Sequence, residues 1–547
     1  MKSYYLPFIL ALTLSQYIIA QDQGFGVPAI LQNKSECLSE NERNRILQIL
    51  ADYRTIHTAR SHSSIKLEWP VRQSMNYDEK EVIGISNYVD WNEAYPNTLT
   101  DYNCGTRSYD TEGGYNHKGT DVFSWPFTWH KMDNDHVEII AAAAGEIIYK
   151  EGNQDDKSCS FNSNSWNAVY IQHDDGSVAW YGHLKTGSLT EKNVGERVDV
   201  GEYLGVMGSS GNSTGPHLHL EIYDANGNLI DPFAGTCNDS VSESWWVNQP
   251  DYYMSGISRV LTHDEAPVFG CYGEEEPNIR VDFTHGERVY FATYFRDQMA
   301  DGVSTHVVYK PDGSVFQQWN TVSPQFYAGS YWYRSFLLPT VGDEGQWRFT
   351  SSYEGDEVTF YFYLISNASD NIDFSEDFLL VKDYEIGEMI EGSFEIINSG
   401  NNGVIVTDIR YPNEFKGHWD GIIDAQQSKA IDFTFTPKSI EPLEDAITVI
   451  TTRGSFKLDV FAEAPILGLA PEKEPVFYPN PVRDGHINFL KPIDGAEVIS
   501  LSGKILLNIR EKVNQIDVSH LPKGIYLLKL NDEAQESIER LIIDRTE

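Results

Sequence analysis

Between about residues 104 and 236 the chain breaks into short apolar runs separated by Gly and Asn/Asp, which restricts it to strands joined by tight turns. Val137-Glu-Ile-Ile, Gly145-Glu-Ile-Ile-Tyr, Asn167-Ala-Val-Tyr-Ile-Gln, Ser177-Val-Ala-Trp-Tyr, Arg197-Val-Asp-Val and Tyr203-Leu-Gly-Val-Met are the strand candidates. Gly145, Gly176, Gly195 and Gly201 supply the turns between them. Short strands at this spacing predict an antiparallel β domain. The texture returns twice. Over 262–365, Val307-Val-Tyr-Lys-Pro-Asp-Gly-Ser-Val-Phe sets Pro-Asp-Gly between alternating segments, a hairpin signal, and Gly345-Gln-Trp-Arg-Phe-Thr reads as a further strand. Over 372–463, Gly392-Ser-Phe-Glu-Ile-Ile-Asn-Ser-Gly-Asn and Ile431-Asp-Phe-Thr-Phe-Thr-Pro repeat the style. Both blocks have the size of a β-sandwich. Neither shows a His/Asp/Glu cluster, so each is expected to be a structural or binding module.

At 547 residues the chain exceeds one ordinary core and implies about three or four domains. Asp and Glu total 81 against 41 Lys and Arg, a formal charge of −40 that repels phosphates and excludes nucleic acid as a partner. Residues 1–20 have the shape of a secretory signal: Lys2, an apolar core from Tyr5 to Leu14, and Ala20 before Gln21-Asp22. That core is too short to span a bilayer and nothing later approaches 18 apolar residues, so no stable membrane span is expected. In an exported chain Cys37, Cys104, Cys159, Cys237 and Cys271 can oxidise, and an odd number leaves at least one free or paired elsewhere. Cys237–Cys271 is the bridge expected. The absence of Cys-x-x-Cys argues against a cysteine-ligated zinc.

Residues 21–36 read as an exposed arm. Ser39-x-x-Glu42 is a capping-box pattern, with Ile46, Ile49, Leu50 and Tyr53 at helical spacing behind it. From 65 to 103 no periodicity stands out; a propeptide or lid is one reading, packing against the next domain the preferred one. Ala464 to Pro475 is a linker, and the remainder opens with Tyr478-Pro479-Asn480-Pro481.

The chemistry concentrates in three pieces. In Gly215-Pro-His217-Leu-His219-Leu-Glu221, histidines one residue apart on a strand project from one face. His183 sits in Tyr181-Gly182-His183-Leu184, and His117-Lys-Gly119-Thr-Asp121 adds an imidazole and a carboxylate at an even spacing. A hydrolytic zinc needs three protein ligands and an open position for a water. His117, Asp121 and one of His217 and His219 fill that requirement. His183 and the other member of the pair remain to orient the water, accept its proton or stabilise the oxyanion. Among the rest, His173 at a strand end is expected to be structural, and His130 and His136, flanking a polar loop, to be exposed. Trp125, Trp129, Trp166 and Trp180 are expected in the core rather than along a cleft.

His117-x-x-x-Asp121, Tyr181-Gly-His183 and Gly215-Pro-His217-Leu-His219 resemble the signature of the lysostaphin/LytM-type zinc metallopeptidases. The likeness includes the run from Val194 to Gly211 and Ile230-Asp231-Pro232, and no position of the motif is missing. It implies one Zn2+ per chain held by His117, Asp121 and His219, with His183 and His217 as the catalytic pair. It also implies a small antiparallel β-sheet with the zinc at the floor of a loop-bordered groove. Such enzymes cut peptide bonds in peptidoglycan cross-bridges or stem peptides, and in some cases glycine-rich extracellular proteins such as elastin. The tail resembles the C-terminal sorting domain of the type IX secretion system through Tyr478-Pro-Asn-Pro, Val498-Ile-Ser-Leu-Ser-Gly-Lys504, Ile516-Asp-Val-Ser-His-Leu-Pro-Lys-Gly-Ile-Tyr526 and Leu541-Ile-Ile. That implies a Bacteroidetes-type bacterium, passage through type IX machinery and the outer membrane, and removal of the tail after transit. Residues 372–463 also resemble Hydin-like immunoglobulin domains, through Ile396-Ile-Asn-Ser-Gly-Asn and Phe433-Thr-Phe-Thr-Pro.

The expected plan is mainly β: signal peptide 1–20, N-terminal arm or propeptide with one helix 21–103, and zinc peptidase domain 104–261. A β-sandwich 262–370, an Ig-like β-sandwich 371–463, a linker 464–474 and a small β-sandwich sorting domain 475–547 follow. The expected function is a secreted or cell-surface zinc metalloendopeptidase. The alternative is a non-catalytic wall- or surface-binding adhesin that uses its sandwiches.

Overall fold

The computed structural model describes residues 23–27, 36–56, 65–77, 79–366, 371–382, 384–439, 442–463, 477–500, 504–532 and 535–544. The expected signal segment and linker lie outside them. Strands dominate, as the turn-punctuated texture predicts. In chain order the first elements are β1 (Gln23–Val27), α1 (Glu40–Ile56), β2 (Val71–Gln73), β3 (Ile83–Asn87), β4 (Thr120–Ser124), α2 (Thr128–Asp133) and β5 (Val137–Ile140). There follow β6 (Gly145–Glu151), β7 (Ala168–His173), β8 (Val178–Gly182), β9 (Arg197–Val198), β10 (Tyr203–Val206), β11 (His217–Tyr223), β12 (Leu229–Ile230) and β13 (Gly256–His263).

Eight strands form the sheet that carries the candidate ligands, in the order β3-β4-β11-β8-β7-β6-β9 with β12 also on β11. β11 lies antiparallel between β4 and β8, so His219 faces Asp121 on one side and Gly182 on the other. Strand alternation then sorts the residues of β11. Leu218, Leu220 and Ile222 enter a core with Val122, Val169, Ile171, Ala179 and Tyr181. The smaller sheet β10-β5-β2 closes that core with Leu204, Val137, Ile139 and Val71. On the opposite face Leu38 and the α1 residues Ile46 and Leu50 cover Ile148, Tyr170, Val178, Trp180 and Tyr223. Each such aliphatic side chain contributes about 1.5–3 kcal/mol when fully buried. The expected N-cap is present: the Ser39 hydroxyl accepts the Glu42 N–H at 3.2 Å.

One expectation changes here, that of the disulfide bridge. Within the arm, β1 pairs antiparallel with the strand Tyr327–Leu337, from Gln23↔Tyr333 to Val27↔Gly329. The aperiodic stretch 65–103 packs into the domain, with β2 and β3 in its two sheets. The bridges are Cys104–Cys237 and Cys159–Cys271, not Cys237–Cys271, and Cys37 is free and buried. The Cys237 N–H donates to Tyr102 O, which folds that loop back against Cys104.

Beyond β13, Val303–Tyr309 and Val315–Val322 form the hairpin that Pro311-Asp312-Gly313 predicts. Phe291, Phe295, Trp347, Phe349 and Phe362 fill a core between the sheets of this block. In the next block Ile390–Asn398 pairs with Ser428–Phe435, and Val404–Arg410 pairs with Gly421–Ile423. The chain divides into two compact units, 1–375 with 389–435 and 446–457, and 376–388 with 436–445 and 458–547. In the second unit Gly495–Ser500, Gly524–Asp532 and Gln535–Ile543 build a sheet whose Val498, Leu528, Leu541 and Ile543 meet Ile487, Ile516 and Val518 in one core.

Candidate metal centre

Alternation along β11 puts His217, His219, Glu221 and Tyr223 on the face that looks toward α1, while β4 delivers Asp121 opposite His219. His117 precedes β4. Its Nε2 lies 3.1 Å from Asp121 Oδ2 and 3.2 Å from His219 Nδ1, and His219 Nδ1 lies 2.7 Å from Asp121 Oδ1. Ligand atoms about 2.0–2.1 Å from a tetrahedral zinc stand about 3.3 Å apart, close to the 3.1 and 3.2 Å that separate His117 Nε2 from Asp121 Oδ2 and His219 Nδ1.

The far nitrogens of both rings are already committed. His117 Nδ1–H donates to Tyr88 O at 2.8 Å, and His219 Nε2–H donates to Glu221 Oε1 at 2.9 Å. This leaves two ring lone pairs and a carboxylate converging on one point, which fits a divalent cation. Glu221 is itself clamped by Arg43 of α1 at 2.6 and 2.7 Å and by the Tyr223 hydroxyl at 2.6 Å. Asn87 donates to Asp121 Oδ2 at 3.0 Å. Burial opposes charge on His117, but Asp121 outweighs it and lifts the imidazole to about 9. Against its own burial, Asp121 is held well below the ordinary carboxylate range by His117 and His219. The site therefore attracts positive charge.

His183 follows β8 at a left-handed φ of 65°, a region His adopts more readily than most residues. Its Nδ1–H donates to Ser210 O at 2.6 Å, and its buried Nε2 has no partner. His217 donates Nδ1–H to Gly215 O at 2.8 Å and holds Nε2 3.8 Å from Asp121 Oδ1. The two rings lie 4.4 Å apart. Burial, aided by His183, lowers His217 to about 4. Close approach explains two glycines. A Cβ on Gly119 would stand 2.7 Å from His219 Nε2 and from Leu220 O, and one on Gly182 would strike the Trp166 ring, which packs on His183 and His219.

The structure thus brings together all five residues singled out from the sequence: His117, Asp121, His183, His217 and His219. Three more shape the site without having been singled out. Glu221 and Arg43 orient His219; Glu221 was legible as the third same-face position of His-x-His-x-Glu. Cys37 places Sγ 3.5 Å from His219 Nδ1 and 2.7 Å from the Tyr109 hydroxyl, within the donor set, as a single thiol that the absence of a Cys-x-x-Cys pair does not address. A search for cysteine pairs misses a single thiol carried in by the arm.

Elsewhere, His173 is buried at the end of β7 with Nδ1 donating to Ala144 O, as its strand-end position suggests. Trp125, Trp129, Trp166 and Trp180 are buried, with Trp166 also bordering the site. His136 departs from expectation, being 3% exposed, and both it and the half-exposed His130 contact Asp420. Asp420 and His418 belong to the 372–463 block, so that block does contribute to a His/Asp cluster, assembled across 290 residues of chain.

An antiparallel sheet that presents a His/Asp/His donor triangle beside two further histidines defines a candidate metal-dependent hydrolase domain. Residues 116–232 match the family described as Peptidase family M23, and residues 476–544 match the Secretion system C-terminal sorting domain. The chain carries both domains. It is 36% identical over 81 residues to the peptidoglycan DD-endopeptidase ShyC of Vibrio cholerae serotype O1, covering 15% of this chain and 18% of that protein. It is 46% identical over 66 residues to the DD-carboxypeptidase/endopeptidase Mpg of Neisseria meningitidis serogroup B, covering 12% and 14%. The chain thus spans less than a fifth of the length of either curated relative. The solved catalytic domain of lysostaphin from Staphylococcus simulans is 24% identical, covers 29% of this chain and 96% of that one, and has a TM-score of 0.17, too low to bear on the site. Among the described residues, no helix is long and apolar enough to cross a membrane.

Proposed function

We propose that the chain is an exported zinc metalloendopeptidase that hydrolyses peptide bonds in peptidoglycan cross-links or in glycine-rich extracellular proteins. The observation that carries this reading is the convergence of His117 Nε2, Asp121 and His219 Nδ1, with the Nε2 atoms of His183 and His217 left free beside them. His117, Asp121 and His219 would hold one Zn2+, which when bound supplies Lewis-acid polarisation of the scissile carbonyl and activation of a water. His183 and His217 do the rest. With Nδ1–H fixed on Ser210 O and Gly215 O, each offers Nε2 toward the reacting atoms. His217 is kept neutral by burial, so its Nε2 can take the attacking water's proton and return it to the departing amine. Glu221 keeps the His219 tautomer correct throughout.

The similarity to enzymes named as peptidoglycan endopeptidases favours wall peptides, and the sorting domain favours delivery through type IX machinery to the outside of the producing cell. There, foreign walls or extracellular proteins are the substrates within reach. Product mass spectrometry on bacterial sacculi and on elastin, incubated separately with a His117→Ala control, tests the reading. New amino termini in wall peptides make it a wall-lytic enzyme, and elastin fragments alone make it a protease of extracellular protein. With zinc supplied, silence on both would overturn the proposal.

A further inference from the structure

A second group of donors lies outside the hydrolytic site. α2 and the turn after it supply His130 and His136, and the loop at 418–420 supplies His418 and Asp420. Asp420 Oδ2 is 3.1 Å from His130 Nε2, and Oδ1 is 2.5 Å from His136 Nε2 and 3.7 Å from His418 Nε2. The donor atoms of His130, His136 and Asp420 all lie within 4.8 Å of one another. Hydrogen bonding alone leaves this group unsatisfied. The Tyr77 hydroxyl already donates to Oδ1 at 2.5 Å, while His418 Nε2 and His136 Nδ1 are buried without partners.

We propose that His130, His136, His418 and Asp420 form a second, structural metal site for a borderline divalent ion of the zinc class. His130, His136 and Asp420 supply three ligands of a tetrahedral shell, and His418 Nε2, 3.7 Å from Asp420 Oδ1, stands beside the fourth position. Its work is to clip the turn after α2 to the 418–420 loop. Beside it, Asn76 exchanges hydrogen bonds with the Asp432 backbone at 3.1 and 2.7 Å, so the metal locks an existing seam.

The test is a metal count on the full chain, saturated with zinc and freed of excess. Wild type should hold two zinc ions. His130→Ala and Asp420→Asn should each hold one, and so should His219→Ala, which removes only the hydrolytic site. His130 is half-exposed, so its variant should fold. One zinc in wild type that His219→Ala abolishes, or two retained in both clip variants, would overturn the second site.

A different observation carries a second inference, which rests on the proposed ligand set of the hydrolytic site. Zinc–sulfur and zinc–nitrogen bonds of about 2.3 and 2.0 Å put sulfur and nitrogen about 3.5 Å apart in a tetrahedron. Cys37 Sγ stands 3.5 Å from His219 Nδ1. The arm is fastened on both sides of Cys37. The Asn212 amide donates to Glu36 O, Leu38 is buried beneath α1, and Arg43 is paired with Glu221. We infer that Cys37 is the fourth zinc ligand of the intact chain, its thiol proton passing to solvent as sulfur binds, and that it closes the position the water needs. Thiol alkylation or withdrawal of the arm opens the site.

Cobalt substitution reads this directly. The full chain with Co2+ should show tetrahedral visible bands and a sulfur-to-cobalt charge-transfer band. Cys37→Ser should keep the visible bands, lose the charge-transfer band, and cleave about tenfold faster or more, the gain set by the fraction of latched protein. Visible bands without charge transfer in wild type would overturn the latch alone. Cobalt binding unaffected by His219→Ala in a clip-deficient background would overturn the ligand set beneath it.

Discussion

Glu221→Gln asks how firmly the metal depends on a residue that never touches it. The Glu221 carboxylate is fully buried and accepts four hydrogen bonds, from His219 Nε2, two Arg43 nitrogens and the Tyr223 hydroxyl. Glutamine keeps one acceptor oxygen and turns the other into a donor, so it cannot serve His219 and both Arg43 nitrogens together. It also leaves the Arg43 guanidinium, whose side chain is 9% exposed, without its counter-charge. Removing one partner of a buried pair costs about 3–5 kcal/mol of stability. Loss of an outer partner of a ligand histidine lowers metal affinity about 10–100-fold, or about 1.4–2.8 kcal/mol. Competition against a chromogenic zinc chelator gives the affinity, for wild type, Glu221→Gln, Arg43→Met and the double variant. The double variant should bind zinc better than the two losses added, because the freed glutamine can turn its oxygen to His219. Glu221→Gln affinity within about twofold of wild type, or strict additivity, would refute the claim that Glu221 sets the His219 tautomer.

Gly119→Ala should lose zinc and cleavage together, because its Cβ would meet His219 Nε2 and Leu220 O at 2.7 Å; metal analysis checks it, and a zinc-replete variant contradicts the packing. Peptide mapping without reductant should recover Cys104–Cys237 and Cys159–Cys271 with Cys37 unpaired. Removing the first bridge should cost about 2–5 kcal/mol in unfolding experiments. Glu79 loses by burial but gains more from Arg259 and Lys131, which hold it at about 2 against an ordinary 4.5. A depressed carboxylate stabilises the fold above pH 4.5 and loses that contribution as pH falls toward 2. Wild type should therefore be more stable than Glu79→Gln by about 3 kcal/mol near neutrality, the gap closing with acid; a pH-independent gap contradicts the assignment.

Much of the site was legible because strand periodicity carries it. His217, His219 and Glu221 share a face whatever surrounds them, and the turn glycines mark where β7, β8 and β11 must stop. What was not legible depends on chain closure. No local pattern says that Gln23–Val27 will pair with Tyr327–Leu337, that Cys104 will find Cys237, or that Asp420 will reach His136. Cys37 was hidden for the same reason: its neighbours along the chain are unremarkable, and only the docking of α1 through Arg43 on Glu221 carries it to His219. The expectation that His136 is exposed failed because its polar surroundings turn out to be another segment of the protein rather than solvent.

The central claim is peptide-bond hydrolysis at the His117/Asp121/His219 site. Counting new amino termini released from sacculi and elastin tests it most directly, using the full chain and its Cys37→Ser variant so that a closed latch cannot mask the answer. Release should stop on chelation, return with zinc, and be absent when His219→Ala is added to Cys37→Ser. Release that survives chelation or His219→Ala would contradict the account.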